Sequence, residues 1–125
     1  MSGAIVFISH NRVREGKLEA LKDYYRQVAE MTEANKPGTL AHMAYLSEDG
    51  TELSIVHLFP DAEAMDRHLI GVDELARKAR EFMESLSLEI YGAPSERVLE
   101  MMRQIVGAGV TLTHRPERVG GYIRL

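Results

Sequence analysis

The sequence predicts one α+β domain, in which an antiparallel four-stranded sheet is covered by helices on one face. Two observations lead to this prediction. Apolar residues alternate with a period of two in some segments and recur every three or four residues in others. Turn residues separate these segments, and the resulting order is β-α-β-β-α-β over residues 4–91. The chain has 125 residues, which is enough for a single domain to bury its own core.

The first strand and the first helix follow from a change of period near Gly16. Residues 4–13 are rich in Ile, Val and Phe and alternate between two largely apolar faces, which predicts a strand covered on both sides. From Lys17 onward, charged residues are interspersed with apolar ones at helical spacing, which predicts an amphipathic helix. Its apolar stripe comprises Leu18, Leu21, Tyr25 and Val28. Pro37 and Gly38 mark the end of this helix.

Two further strands and a broken helix are predicted next. Residues 39–46 and 52–59 have strand character, and a turn sequence containing Asp-Gly separates them. Asp61 caps a helix that runs to about residue 70, where a glycine interrupts it. A second helical segment is predicted from Asp73 to residue 86, followed by a fourth strand at residues 87–91. This order is that of the ferredoxin-like split βαβ arrangement, whose open sheet face needs a partner, most simply a second copy of the chain.

The register of the predicted hairpin decides which side chains accompany His57. A three-residue loop at residues 48–50 pairs Ser47 with Thr51 and places Met43 and Tyr45 on the same face as His57. A two-residue Asp-Gly turn instead sets His42 opposite His57. We prefer the first register, because it yields one face with the character of a pocket lining and one with the character of a helix-packed core.

Residues 92–125 are predicted to form an extension of the domain, whose core is residues 3–91. Pro94 and Ser95 begin a helix, which ends at a pair of nearby glycines. Residues 110–114 and 122–125 are predicted as short strands that make a small β hairpin. This extension is expected either to lengthen one edge of the sheet or to reach onto a partner subunit. All residues from 1 to 125 are thus assigned to one domain.

The composition disfavours or excludes several classes of protein. Fifteen Lys and Arg against nineteen Asp and Glu give a net charge of −4, which disfavours a nucleic-acid-binding protein. The absence of Cys excludes disulfides, thiolate catalysis and Cys-ligated metal clusters. No apolar run approaches the ~20 residues of a membrane span, and the first residues lack the pattern of a signal peptide. We therefore expect a cytoplasmic protein that binds neither nucleic acid nor membrane.

Several short motifs occur in order along residues 3–91. Phe59 ends a predicted strand, Ala64 follows five positions later, and His68 follows four positions after that. The accompanying motifs are Val13 with Gly16, Pro37-Gly38 and the hairpin residues 47–50. Together these motifs resemble the antibiotic biosynthesis monooxygenase (ABM) superfamily of dimeric α+β barrels. Phe59 stands where that superfamily usually has Trp.

The resemblance implies a homodimer whose two sheets face each other, with a small-molecule cavity beside each sheet. Several members of that superfamily oxidise aromatic polyketides or quinols with O2 and use neither a metal nor a flavin. The resemblance therefore implies a monooxygenase that needs no cofactor and acts on a small apolar, aromatic or quinol-like substrate. Two alternatives stay open: a non-catalytic small-molecule-binding or regulatory barrel, and a His-dependent cyclase or isomerase that does not use O2.

Two histidines, His57 and His68, are the candidate catalytic residues. A neutral imidazole can accept a phenolic proton near neutral pH, and the resulting phenolate or enolate can pass an electron to O2 without a cofactor. The family motif points to His68, and the preferred hairpin register points to His57. The alternative interpretation gives both histidines packing roles at the subunit interface. Candidate substrate-binding residues are Asn11, Met43, Tyr45 and Phe59.

No metal site is predicted from the sequence. Imidazole binds zinc and other transition metals, so the possible ligands are His42, His57 and His68. No carboxylate lies at a ligand-like spacing from them, and each histidine also has a packing explanation.

Overall fold

The computed structural model describes residues 3–107 and 109–124, which form a five-stranded mixed sheet and four helices. The strands are β1 (Ile5–Val13), β2 (Ala41–Leu46), β3 (Glu52–Phe59), β4 (Met83–Tyr91) and β5 (Thr111–Arg115). The helices are α1 (Leu18–Asn35), α2 (Ala62–Leu69), α3 (Asp73–Ala79) and α4 (Glu96–Ile105). The order across the sheet is β2-β3-β1-β4-β5. The predicted ferredoxin-like α+β fold is confirmed.

The sheet has one face covered by helices, here called the helical face, and one without helices, the open face. The predicted alternation along β1 is present, but helices cover this strand on one side only, whereas the sequence predicted cover on both. Ile5, Phe7 and Asn11 are buried on the helical face. They lie opposite Phe59, His57 and Leu53 of β3, which therefore share that face. Val6, Ile8 and His10 alternate with them and lie on the open face, where they are only partly buried.

Two apolar clusters hold the helices on the helical face. The larger one joins strands β1, β3 and β4 to helices α2 and α4, with Ile5, Phe59, Met65 and Ile90 fully buried at its centre. The smaller one places Leu21 of α1 against Leu53 and Ile55 of β3. At 25 cal/mol per Å² of apolar surface, each fully buried side chain of this size stabilises the fold by about 1.5–3 kcal/mol. Among the described residues, no helix is both long enough and apolar enough to cross a membrane.

The helix caps follow from short polar motifs in the sequence. The side chain of Asp61 accepts a hydrogen bond from the backbone N–H of Ala64 at 2.8 Å and so begins α2. Ser95 caps α4 in the same way, accepting from the N–H of Val98 at 3.2 Å. The hydroxyl of Ser95 also donates to Asp66 at 2.7 Å, which ties the start of α4 to α2. The extension is thus anchored to the rest of the domain by its first helix.

The preferred register of the β2–β3 hairpin is wrong. His42 lies opposite His57 and Leu46 opposite Leu53, which is the other register considered. It is reached through a four-residue loop, because the N–H of Ser47 donates to the carbonyl of Glu52 at 2.9 Å. The carboxylate of Asp49 holds this loop by accepting from the hydroxyl of Ser47 and from both the N–H and the hydroxyl of Thr51. The shift of one residue moves Met43 and Tyr45 to the open face.

The second helical segment ends earlier than predicted. The sequence pattern predicted helix from Asp73 to residue 86, whereas α3 ends at Ala79 and β4 begins at Met83. The whole of residues 83–85 pairs with the end of β1, so sheet hydrogen bonds replace helical ones there. A bulge opposite His10 and Asn11 leaves one extra residue on β4 and shifts the register. Local helical periodicity was outweighed by pairing with a distant strand.

The extension contains the predicted helix but a single strand in place of the predicted β hairpin. Strand β5 pairs in parallel with β4, from Ser87 opposite Thr111 to Tyr91 opposite Arg115, and lengthens the sheet edge. Residues 122–124 form no strand, and residue 125 of that predicted strand lies outside the described residues. Pro116 ends β5, since proline cannot donate to a strand ladder, and the exposed segment around Gly120 and Gly121 offers little side-chain surface to bury.

Candidate active site

A cavity of about 880 Å³ lies between the helical face of the sheet and helices α1 and α3. Its wall is mostly apolar and includes Val28, Ile55 and Leu75. His42, His57 and His68 lie together in this wall, and Asn11 lies further along the sheet. Charged side chains also line the cavity, among them Arg12, Arg80 and Glu84. A largely apolar cavity of this size with a few convergent polar groups is typical of sites for small organic molecules.

Three histidines from three different elements meet in this wall and are called here the histidine cluster. His42 comes from β2, His57 from β3 and His68 from α2. One ring nitrogen from each lies within 4.8 Å of the others. The ring centroids are 4.5 Å apart for His42 and His57, 5.3 Å for His57 and His68, and 5.7 Å for His42 and His68. The observed hairpin register creates the first contact, because it makes His42 and His57 direct cross-strand neighbours.

The Nδ1 atom of every cluster histidine is engaged in a hydrogen bond. His57 Nδ1 lies 3.2 Å from the backbone carbonyl oxygen of Phe7. A carbonyl can only accept, so neutral His57 carries its proton on Nδ1 and keeps a lone pair on Nε2. His42 Nδ1 lies 2.7 Å from the hydroxyl of Tyr25, and His68 Nδ1 lies 2.7 Å from the hydroxyl of Thr39. A hydroxyl can donate or accept, so these two rings are compatible with either tautomer.

Burial and mutual proximity keep the cluster uncharged at neutral pH. Burial, aided by the nearby imidazoles of His42 and His68, lowers the pKa of His57 to about 3. Burial lowers the pKa of His68 to about 4, with further contributions from His42 and the ammonium of Lys36. Burial also lowers the pKa of His42. Desolvation disfavours the charged imidazolium, so the cavity presents neutral rings that can exchange protons with a ligand.

Tyr25, near the middle of α1, and Lys36, just beyond its end, position the cluster. Burial raises the pKa of Tyr25 to about 12, so its hydroxyl stays protonated beside His42. Lys36 Nζ donates to the carbonyl oxygens of Arg67, His68 and Ile70 at 3.2, 2.6 and 2.8 Å. The carbonyls of Arg67 and His68 belong to the last turn of α2 and that of Ile70 to its C-cap, where few helical donors remain, so the ammonium group holds the turn that carries His68.

Asn11 is the one amide side chain of β1 and lies at the bulge. It is 3% exposed, and its Nδ2 donates to the hydroxyl of Ser9 at 3.2 Å and to the carbonyl of Leu53 at 3.3 Å. Both bonds use donor hydrogens of the amide, so its oxygen is left as an acceptor in the cavity wall. The cavity wall therefore offers the amide of Asn11 in addition to the three neutral imidazoles.

Comparison with known proteins agrees with this architecture. The family model described as antibiotic biosynthesis monooxygenase matches residues 4–71, more than half of the chain. The chain belongs to this family. The matched residues run from β1 to the end of α2 and include all three members of the histidine cluster. No curated protein matches the chain.

Solved structures show how far the fold is shared. MupZ from Pseudomonas fluorescens is 20% identical, with a TM-score of 0.71, and the alignment covers 95% of each chain. That coverage is too large to leave out the α4–β5 extension. Protein SO0527 from Shewanella oneidensis is 25% identical over 73% of this chain and 91% of its own, with a TM-score of 0.62. SnoaB, a cofactor-independent oxygenase from Streptomyces nogalater, is 19% identical over 74% of this chain and 95% of its own, with a TM-score of 0.62.

The structure brings three of the six predicted site residues of this family member to the cavity. His57, His68 and Asn11 line it. Phe59 lies behind them in the core, fully buried, with its ring centroid 5.2 Å from that of His68. Met43 and Tyr45 lie on the open face, where the hydroxyl of Tyr45 donates to Met43 Sδ at 3.4 Å. Their predicted contact with a ligand receives no support from this cavity.

Sequence reasoning missed the groups that hold the imidazoles. The apolar stripe that the sequence predicts for α1 includes Tyr25, and no motif marks Thr39 or Lys36 as a functional residue. The one available signal was a phenol in an otherwise apolar helical stripe, which is also common in ordinary cores. Only the packing of α1 on β2, and of the segment between them on the end of α2, places these groups next to His42 and His68.

Proposed function

We propose that this chain is a cofactor-independent monooxygenase that oxidises a small aromatic or quinol-like molecule in the cavity beside the sheet. The observation that carries the proposal is the hydrogen bond from His57 Nδ1 to the carbonyl of Phe7, which leaves a basic lone pair on Nε2. His57 lines a mostly apolar cavity of about 880 Å³, where a substrate can meet that lone pair. Membership of the ABM family supports oxygen chemistry as the reaction class. The apolar wall favours a flat, weakly polar substrate over a sugar or a phosphate ester.

In the proposed reaction His57 acts as the general base. Its Nε2 accepts the acidic proton of the substrate, and His68 hydrogen-bonds the oxygen that becomes anionic. Asn11 lies four residues further along the sheet, opposite Leu53, and is available to a second polar group of the substrate. A base of low pKa suffices because the ion pair of imidazolium and phenolate stabilises both charges in a desolvated cavity. The electron-rich anion then reduces O2 directly. A C–O bond forms between the oxidised ring and the reduced dioxygen to give a hydroperoxide, whose O–O bond breaks as water leaves. Overall, the substrate loses two hydrogen atoms and gains one oxygen atom, the second oxygen atom leaves with those hydrogens as water, and the substrate supplies all four electrons.

Oxygen uptake by the purified chain tests this proposal. We expect hydroquinones, naphthols or anthrones to be oxidised with one O2 consumed per product, in buffer containing EDTA and without added flavin or nicotinamide. Unchanged product formation under argon would overturn the oxygenase proposal in favour of a cyclase or isomerase that uses the same bases. Saturable binding of these compounds without turnover would instead indicate a binding or regulatory barrel.

We further propose that two copies of the chain pair through their open faces. Met43 and Tyr45 are 43% and 58% exposed there, next to partly buried apolar residues of the central strands, namely Val6, Ile8, Val56 and Leu58. The polar groups of this face already satisfy one another, since His10 bonds both Ser54, at 2.7 Å, and Glu89. Such a face can be buried at low cost and is unfavourable in water.

Light scattering at micromolar concentration should therefore give twice the 14.1 kDa mass of one chain. Replacing Ile8 with Lys places a charge at the centre of the open face, and we expect this variant to be monomeric while keeping its far-UV circular dichroism spectrum. A wild-type mass of one chain would contradict the dimer.

A further inference from the structure

We propose that His42, His57 and His68 also form a site for one divalent transition-metal ion, such as Zn²⁺ or Co²⁺, bound through their Nε2 atoms. The three rings come from β2, β3 and α2 and present ligand atoms within 4.8 Å of one another. Binding at this site does not depend on the proposed oxygenase reaction.

Hydrogen bonds at the three Nδ1 atoms support this site. Each Nδ1 has its own partner: the hydroxyl of Tyr25 for His42, the carbonyl of Phe7 for His57 and the hydroxyl of Thr39 for His68. Histidines that ligate metals almost always donate their second N–H to a partner of this kind, which fixes ring orientation and raises ligand basicity. Both hydroxyls can accept from Nδ1–H, so all three rings can present Nε2 lone pairs at the same time.

The Nε2 atoms of the cluster are accessible and have no protein partner among the described residues. Among the described residues, no hydrogen bond reaches the Nε2 atom of any cluster histidine. In the same part of the chain, every fully buried side-chain nitrogen or oxygen has a hydrogen-bond partner. The three unpaired Nε2 atoms are therefore not fully buried, and the cavity that their rings line gives an ion access to them.

The spacing of the rings also fits a metal ion. Ligand atoms of a tetrahedral ion with bonds of about 2.1 Å lie about 3.4 Å apart, and one ring nitrogen of each histidine, Nδ1 or Nε2, lies within 4.8 Å of the others. Closing that gap requires each nitrogen to move inward by less than about 1 Å, which small side-chain rotations provide. Three protein ligands leave a further coordination position facing the cavity.

The donor set selects the class of metal. Three neutral imidazoles suit Zn²⁺, Co²⁺, Ni²⁺ or Cu²⁺, whereas Mg²⁺ and Ca²⁺ require oxygen ligands. The ion and the substrate proton would compete for the same lone pair of His57. We therefore expect Zn²⁺ to inhibit any reaction in which His57 is the base, and EDTA to relieve the inhibition.

Titration of the full-length, tag-free chain with Co²⁺ tests the site after EDTA treatment and dialysis. We expect visible absorption bands of low-coordinate Co²⁺ that saturate at one ion per chain, and we expect Zn²⁺ to displace them. Replacing His42, His57 or His68 with Gln should weaken the affinity at least ~100-fold, and Tyr25→Phe should weaken it ~10-fold by removing an outer hydrogen bond. His114→Gln, on β5 and outside the cavity wall, should bind as the wild type does.

Two results would overturn the site. One is the absence of saturable Co²⁺ or Zn²⁺ binding by wild-type protein that is folded by circular dichroism. The other is wild-type affinity in Tyr25→Phe and in every folded cluster variant, which would place the ion elsewhere. Oxygen uptake in EDTA separates this inference from the proposed function: activity without metal binding removes only the site, and activity that requires the metal supports the site and removes the cofactor-independent mechanism.

Discussion

Replacing His57 with Gln is expected to lower kcat/KM for the oxygen-consuming reaction at least ~10²-fold, which is the lower end of the contribution of a general base. Gln nearly preserves the volume of the ring and its amide can still donate to the carbonyl of Phe7, but it carries no basic lone pair. His57 is 7% exposed and stacks on Phe7 with ring centroids 4.9 Å apart, so a polar residue of similar size is the mildest available change.

The matched control is His114→Gln. This histidine lies on the edge strand β5, where its Nε2 is 3.3 Å from the carbonyl oxygen of Gly92, and it does not line the cavity. We expect His68→Gln to resemble His57→Gln and the control to retain wild-type kinetics. Oxygen uptake at saturating and limiting substrate measures both parameters. A rate of His57→Gln within threefold of the control would exclude His57 as the base.

The pH profile adds a readout that a purely structural role would not move. A base must be unprotonated, so activity falls as the pH drops through the pKa of the base in the free enzyme. Because burial lowers the pKa of His57 to about 3 and that of His68 to about 4, kcat/KM should stay level from pH 8 to about 5. An acid limb near the ordinary histidine value of about 6.5 would contradict this environment.

Truncating Phe59 to Ala is expected to lower the free energy of unfolding by about 3–5 kcal/mol, the usual cost of removing a buried aromatic ring. Phe59 ends β3, is fully inaccessible to solvent and belongs to the larger apolar cluster with Ile5, Met65 and Ile90. Proteins of this size are commonly stable by only 5–15 kcal/mol, so the variant should unfold at much lower denaturant concentration.

Equilibrium unfolding in urea gives this free energy directly. The matched control is Tyr122→Ala, which removes an aromatic ring that is 76% exposed and should change stability by about 0.5 kcal/mol or less. Phe59→Leu should retain most of the stability, because it restores most of the lost volume. A loss below about 1 kcal/mol in Phe59→Ala would show that this side chain is not a core residue and would reopen its predicted role in substrate binding.

The sequence was informative where short-range patterns govern the structure. The alternation along β1 and along β3 correctly separated the two faces of each strand, since the side chains of a strand must alternate, whereas the pairing of Phe7 with His57 comes from the structure. The capping residues Asp61 and Ser95 correctly marked the starts of α2 and α4. The spacing from Phe59 to His68 indicated the family, because it reflects a strand end followed by one helix of fixed length.

The histidine cluster illustrates what sequence patterns leave open. Its three members are spread over residues 42–68, and their proximity depends on the hairpin register and on how α2 returns across the end of β3. The register in turn depends on a single residue of loop length, decided by the hydrogen bonds that Asp49 accepts from Ser47 and Thr51. A pattern of apolar and polar residues is compatible with either loop, since both give chemically reasonable faces.

By itself, the sequence determined the types and order of the elements from β1 to β5, the alternation of side chains along the strands and the family resemblance, because all of these depend on periods and spacings within one or two neighbouring segments. Only the tertiary structure decided where α3 ends and β4 begins, and that β5 pairs in parallel with β4. It also decided that the Nδ1 atom of His57 bonds to the carbonyl of Phe7, which leaves the Nε2 lone pair free at the cavity. Those features arise from hydrogen bonds between residues far apart along the chain, whose free energies outweigh local preferences.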